Sequence, residues 1–275
     1  VCGLPGGMSR PITEEERQKI EEWGKSLVEF CKFSIDKILT DVVLKNEAYM
    51  QLITDPNIYY QETYYMGLVD KNNKVNFYEG DIRVVDQKGR EFARFKGSEY
   101  LEHISEHVEP WTYLKFPFLK KIGWKGLVAG PDSGIYRVAP LARVNVSEGF
   151  ATPLAHEYYE QMVEALKEVG ASMPVHFSQV NHWARLIETM YAAERLLELA
   201  QDEEITSKDL RAELGEPSEG VGVVEAPRGT LFHHYWTDEN GITKGINMLV
   251  ATGNNNAAIC MDIRNAARAF IKNWE

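Results

Sequence analysis

Residues Val223 to Asn256 read VVEAPRGTLFHHYWTDENGITKGINMLVATGNNN. Thr230 to Trp236 is aromatic and β-branched. Asp238-Glu239-Asn240-Gly241 carries turn chemistry, with Asn-Gly tolerating positive φ, and Ile242 to Val250 alternates apolar with polar. The expected order is loop, strand, tight turn, strand, loop, with a hairpin over about 230–250. Such a hairpin brings its outer ends together: Glu225-Ala226-Pro227-Arg228-Gly229 on one side, Ala251-Thr252-Gly253-Asn254-Asn255-Asn256 on the other. An arginine between a rigid proline and a permissive glycine then faces hydroxyl and amide groups, an anion-friendly pocket floor. His233 and His234 alternate to opposite faces of the strand, so they cannot share one metal; one is expected to pack inward and the other to meet solvent or a partner.

The rest of the chain supplies the frame for this ribbon. Thr13 and Glu16 form a capping box before a helix of roughly thirty residues, about 45 Å long, with Ile20, Trp23, Leu27, Phe30, Ile35, Ile38 and Val42 on its apolar stripe. Cys31 lies beside that stripe and reads as a buried, inert thiol. A β meander is expected over about 63–95, from strands Thr63–Val69, Lys74–Val85 and Arg90–Phe95, with Ile82, Val84 and Phe92 covering a helix flank. Thr152-Pro153 opens a helix to about Val169, and Ser178 to about Ala200 forms a stronger one, with His182 beside its apolar face. Gln201 to Gly220 is acidic and polar and reads as a mobile connection. Asn255 to Asn273 is expected to turn Ile259, Ile263, Ala267, Phe270 and Ile271 inward. With no repeat and no composition break, the expectation is a single domain over 1–275. Its class is α+β, mainly α: a bundle of long helices with small antiparallel β excursions.

Composition excludes several functions. A formal charge of −11 over 275 residues argues against nucleic acid, and no apolar run approaches the roughly 18 residues of a membrane span. The opening VCGLPGG is no signal peptide, and Cys2, Cys31 and Cys260 are too scattered for a disulfide scaffold, so a reducing cytoplasm is expected. Gly123 to Gly134 matches neither a P-loop nor a dinucleotide fingerprint. His103-Ile104-Ser105-Glu106-His107, after a predicted Ser98 cap, spells the inverted zinc-protease motif. It has no third ligand in context and reads as packing.

The stretch EAPRG, HHY, ENGI and VATGNNN resembles the large subunit of [NiFe] hydrogenases, particularly the cytoplasmic methyl-viologen-reducing (F420-non-reducing) group. Pro5 to Thr13, Pro110 to Pro117, Tyr136 to Arg143, Ala184-Arg185-Leu186-Ile187-Glu188 and Asn265 to Glu275 resemble further segments of that family. Ala139 stands where the family has glycine. The resemblance implies the large-subunit fold and the reaction H2 ⇌ 2 H+ + 2 e−. It implies a nickel–iron centre with carbon monoxide and cyanide ligands, electron transfer to an iron–sulfur small subunit, and heterodisulfide reductase beyond it. Both family Cys-x-x-Cys pairs are missing, so the chain is expected to be an interior fragment that is inactive alone, holds no metal, and associates with itself through uncovered apolar surface.

By resemblance Arg228 stands over the open metal position, either as base or as the group setting the field; the reluctance of a guanidinium to give up its proton favours the field. Ala226, Pro227, Ala251 and Thr252 match positions that contact the diatomic ligands, with the Thr252 hydroxyl donating to a cyanide nitrogen. Arg137 and Arg143 pass near the centre and must be paired if buried; exposure is expected for at least one. Two alternatives are a metal-free assembly or regulatory homologue and the quinone-site subunit of respiratory NADH dehydrogenase.

Overall fold

The computed structural model describes residues 2–271. The chain opens with a small pair of strands, β1 (Gly3–Leu4) and β2 (Gly7–Met8), before helix α1 (Glu14–Phe33). The Thr13/Glu16 capping box is present, with three acids in the first turn at the positive end of the dipole. The helical path continues beyond Phe33, as expected, but changes to a π-helical turn pattern over Ser34–Leu44 before α2 (Glu47–Ile53). Its buried seam keeps Ile35, and half-buried Leu27, from the predicted stripe and otherwise differs. Gly24, Val28, Cys31, Ile35 and Leu39 face the core, whereas Trp23, Phe30, Ile38 and Val42 are exposed. The reason is close backbone approach: a Cβ on Gly24 would lie 3.3 Å from the Leu197 Cα. A small residue, not the bulkiest ones, sets where α1 crosses its neighbour.

That neighbour is α6 (Val180–Gln201), which together with α5 (Pro153–Glu168) completes the helical layer. Trp183, Ile187, Met190 and Tyr191 pack with Met162, Leu166, Val28 and Ile35 in one core. His182 is exposed. The segment between α6 and the ribbon is tied down, because Met8 donates its N–H to the Leu210 carbonyl and Ala212 donates to that of Gly6.

The meander forms as β3 (Tyr64–Val69), β4 (Asp81–Val85) and β5 (Glu91–Phe95), in the order β5-β4-β3-β8. β8 (Tyr136–Arg137) adds a short parallel pair, Tyr64 opposite Tyr136 and Tyr65 opposite Arg137. The predicted strand from Lys74 begins only at Asp81, since the Asn76 side chain accepts from the Tyr78 and Glu79 amides and curls the chain into a turn. One sheet face (Tyr65, Val69, Val85) covers Ala142 and Val146 of α4 (Pro140–Val146). Ile82 and Val84 face the other way, against Tyr100, Phe232 and Leu249, so they cover a second β layer and not the expected helix flank.

The short helix expected after Ser98, carrying His103 to His107, is also corrected. α3 is only Tyr100–His103, and Ile104–Val108 is strand β6, paired with β7 (Lys115–Leu119). Ile104 faces the core while Ser105, Glu106 and His107 are only half-buried on the pleat, and an extended backbone carries His103 and His107 apart. His103 stacks on Phe95, and His107 bonds Glu109 at 2.9 Å and stacks on Trp124.

The opening stretch gains a strand. β9 (Glu219–Ala226), β10 (Gly229–Thr237) and β11 (Thr243–Leu249) form a ribbon in the order β11-β10-β9. The Asp238–Gly241 turn closes as expected, with Gly241 at φ +77°. His234 is buried between Tyr100 and Glu219, while His233 reaches Tyr235 at 3.0 Å near the surface. The EAPRG loop proves to be a hairpin turn, since Ala226 pairs with Gly229 and leaves only Pro227-Arg228 to reverse the chain. Last comes α7 (Asn256–Phe270), which buries Ala257, Ala258 and Met261 while exposing Ile259, Ile263, Phe270 and Ile271. Most of the expected inward face therefore lies exposed, with Ala267 half-buried, and the packing falls to the smaller alanines and to Met261. The part of the predicted helix and of the Asn265–Glu275 resemblance beyond Ile271 lies outside the described residues.

Candidate functional site

Pro227 fixes φ at the tip of the β9–β10 turn, and Gly229 follows at φ +130°. A Cβ on Gly229 would come within 2.1 Å of a Val138 methyl, so only glycine lets the turn seat against the segment after β8. On the other side of the ribbon, Thr252 precedes a short 3₁₀ turn (Gly253–Asn255) leading into α7. The three asparagines here staple separate pieces. Asn254 donates to the Thr230 carbonyl at 2.9 Å and accepts from the Tyr136 hydroxyl at 2.5 Å. Asn255 accepts from the Val138 amide at 2.9 Å and donates to the Arg228 carbonyl at 3.3 Å. Asn256 donates to the Lys115 carbonyl at 2.8 Å.

Between these pieces lies a cavity of about 230 Å³, and both Arg228 and Thr252 line it. Its remaining polar lining includes Arg137, Arg185, Ser178 and Asp262, while Val138, Leu141, Ala258 and Ile259 give it apolar walls. Ala226 and Pro227 line an adjoining cavity of about 290 Å³, separated by Arg185, which faces both. Ala251 is buried and lines neither cavity.

Both Arg137 and Arg143 are buried, against the expected exposure of one. Arg137 donates to Thr63 Oγ1 (2.9 Å), Ser178 Oγ (2.9 Å), the Tyr65 hydroxyl (2.7 Å) and the carbonyls of Gln61 and His176. Every partner is neutral. The nearest acid in this network is Asp262, which accepts from Ser178 Oγ at 3.1 Å and from the Gln61 amide. Burial pushes the Asp262 carboxyl up, opposed by Arg137 and by those two donors. Burial, and after it the Arg137 charge, hold His176 down to about 4, so its ring is neutral at pH 7 and faces Tyr65.

Arg143 is 1% exposed and forks Glu188 with Nε and Nη2 at 2.5 and 2.6 Å, while Nη1 reaches Glu225 at 2.6 Å. Glu225 also accepts from the Leu68 amide and the Thr230 hydroxyl, so its carboxylate pins the start of EAPRG to β3. Burial pushes Glu188 up, against the pull of the Arg143 guanidinium. Ala139, at the start of α4, holds φ +85°. That is glycine territory, and it is the position where the sequence departs from the family pattern.

Arg185 and Asp262 were not singled out as site residues from sequence. Asp262 was within reach, because Asn255, Ala258, Ile259 and Asp262 share one helical face. Arg185 was hidden by its place in an otherwise ordinary amphipathic helix.

A nickel–iron centre needs soft thiolate donors. Among the described residues no group of three or more His, Cys, Asp or Glu is placed to hold a metal. Cys2 is exposed, burial raises the thiols of Cys31 and Cys260, and none of the three lines the cavity. The residues present fit the surroundings of such a centre, not its coordination.

No protein-family model matches the chain. It is 50% identical over 273 residues to an F420-non-reducing hydrogenase iron-sulfur subunit from Archaeoglobus profundus, covering 99% of this chain and 55% of that protein. A vhu subunit of the F420-non-reducing hydrogenase from Methanocaldococcus jannaschii is 40% identical over 274 residues, with 61% of it covered. The chain thus spans between half and two thirds of these relatives. Among solved structures, an NAD+-reducing [NiFe]-hydrogenase in the H2-reduced state superposes with a TM-score of 0.84 at 28% identity, over 99% of this chain and 57% of that one. A [NiFeSe]-hydrogenase of Dm. baculatum shares the fold, with a TM-score of 0.60 at 18% identity over 97% of this chain and 62% of that one.

Proposed function

The chain belongs by homology with the large subunits of [NiFe] hydrogenases of the F420-non-reducing type, and from that premise we propose that it builds the sulfur-free wall of a hydrogen-activating site. The gene product carrying this sequence oxidises H2 reversibly and works in the cytoplasm. It passes electrons to an iron–sulfur small subunit; heterodisulfide reductase receives them further on. No helix among the described residues is long and apolar enough to cross a membrane. The bound centre supplies the hydrogen-splitting chemistry; no metal–protein bond is assigned to this chain.

One observation carries the reading: Arg228 and Thr252, brought together at one end of the ribbon by the antiparallel pairing of β10 with β11, line one small, largely apolar cavity together with Arg137. Arg228 contributes a fixed positive charge at the cavity rim, since a guanidinium keeps its proton. The Thr252 hydroxyl donates a hydrogen bond into the same space. Ala226 and Pro227 precede Arg228 and Ala251 precedes Thr252, so their part is to carry the backbone that places these two.

The test is H2-dependent viologen reduction by the gene product assembled with its small subunit. Arg228→Lys is expected to lower the rate by roughly a hundredfold or more at unchanged nickel and iron content, the scale of losing one preorganised donor. An undiminished rate with the metals in place would refute the role of Arg228, and an assembled protein without nickel would favour the metal-free alternative.

A further inference from the structure

The Arg228 side chain is exposed, so the backbone that carries it sets the point from which the guanidinium reaches. That backbone is gripped from two sides. Arg185 of α6 donates from Nη1 to the Pro227 carbonyl at 2.5 Å. Asn255 donates from Nδ2 to the Arg228 carbonyl at 3.3 Å, while its Oδ1 accepts from the Val138 amide on the opposite wall. The two carbonyls of the turn are thus held by fixed donors that themselves line the cavity, and the absent Gly229 side chain lets the turn close against Val138.

We infer that Asn255 and Arg185 are positioning residues for Arg228: the two donors lock the Pro227-Arg228 turn and set the gap between it and the Val138 wall. Asn255 acts as a two-headed spacer, one head for each wall. Arg185 acts as a strut from the helical layer and divides the two cavities. The inference rests on reading Arg228 as the working residue of the cavity, but its test reads placement and not turnover.

The probe is the modification rate of Arg228 by phenylglyoxal, followed by peptide mapping on the whole chain, together with hydrogen exchange at the Val138 amide. Asn255→Leu removes both heads and should raise both rates, each roughly fivefold for one hydrogen bond lost. Asn255→Asp keeps the acceptor for Val138 and loses the donor, so Arg228 should speed up while Val138 stays protected. A residue that merely stabilised the start of α7 would move the two readouts together. Arg185→Met should accelerate Arg228 by a similar factor, and Arg185→Lys should restore most of the protection. Unchanged Arg228 reactivity in Asn255→Asp and Arg185→Met, both with native urea midpoints, would overturn the inference. Should one variant not fold, the other decides it alone.

Discussion

Arg137 and Arg143 lie six residues apart on one segment, both are buried, and the molecule treats them in opposite ways. Arg143 is neutralised by two carboxylates brought from α6 and β9, and so acts as a clamp among α4, the helical layer and the ribbon. Arg137 is satisfied by hydroxyls and carbonyls alone, so its hydrogen bonds are complete while its charge is not cancelled at close range. The first arginine holds the fold. The second keeps a positive charge at the cavity wall, next to Arg185 and Arg228. Hydrogen-bond satisfaction and charge neutralisation are separate requirements, and a site that needs a field meets the first without the second.

The largest expected effect comes from breaking the clamp. Arg143→Met leaves Glu188 and Glu225 buried without a cation and should cost about 3–5 kcal/mol of stability in urea unfolding. Arg137→Met removes a charge along with its donors and leaves only neutral acceptors unmet, so a smaller loss of about 2 kcal/mol is expected. Equal losses at the two sites would erase the distinction.

The pH dependence sharpens it. His176 is held at about 4 by burial and then by Arg137, with Glu62 and the Gln87 carbonyl pulling the other way. Because its folded pKa lies below the unfolded value of about 6.5, the unfolded chain takes up more protons between those pH values. Stability conferred by the neutral ring is complete above about pH 6.5 and is lost as pH falls toward 4, by about 2 kcal/mol after allowing for its partial exposure. His176→Gln should remove that component of the slope. In Arg137→Met the His176 titration, followed by NMR, should move up while staying below normal, since burial is the larger cause.

The smallest effect has the opposite sign. Ala139→Gly relieves a positive φ and should raise stability by about 1 kcal/mol, read as a higher urea midpoint. A lower midpoint would mean that the alanine methyl contributes more by packing than its backbone costs.

Much of this was legible in the residues. Thr13/Glu16 and Asp238–Gly241 announce their own elements, because caps and turns are local chemistry, and Pro153 opens its helix although the Thr152 hydroxyl makes no cap bond. The meeting of Arg228 with Thr252 follows from hairpin geometry alone. What failed was choosing between faces. In α1 and α7 the largest apolar residues are exposed, and Gly24, Ala257 and Ala258 are buried. Periodicity reveals that a face exists, but close approach of two backbones decides which face is used. In Val221 to Val224 the neighbouring glycines mask a strand, and in Ile104–Val108 the polar Ser-Glu-His centre masks the β-branched ends that mark one.

The central claim is that the ribbon's two ends wall a metal centre held by sulfur from elsewhere. The most direct measurement is an anomalous-difference map at the nickel and iron edges from crystals of the gene product carrying this sequence. The account predicts both metals beside the cavity lined by Arg228, Thr252 and Arg137. Metal peaks remote from Arg228 and Thr252, or none in a protein that turns over hydrogen, would contradict it.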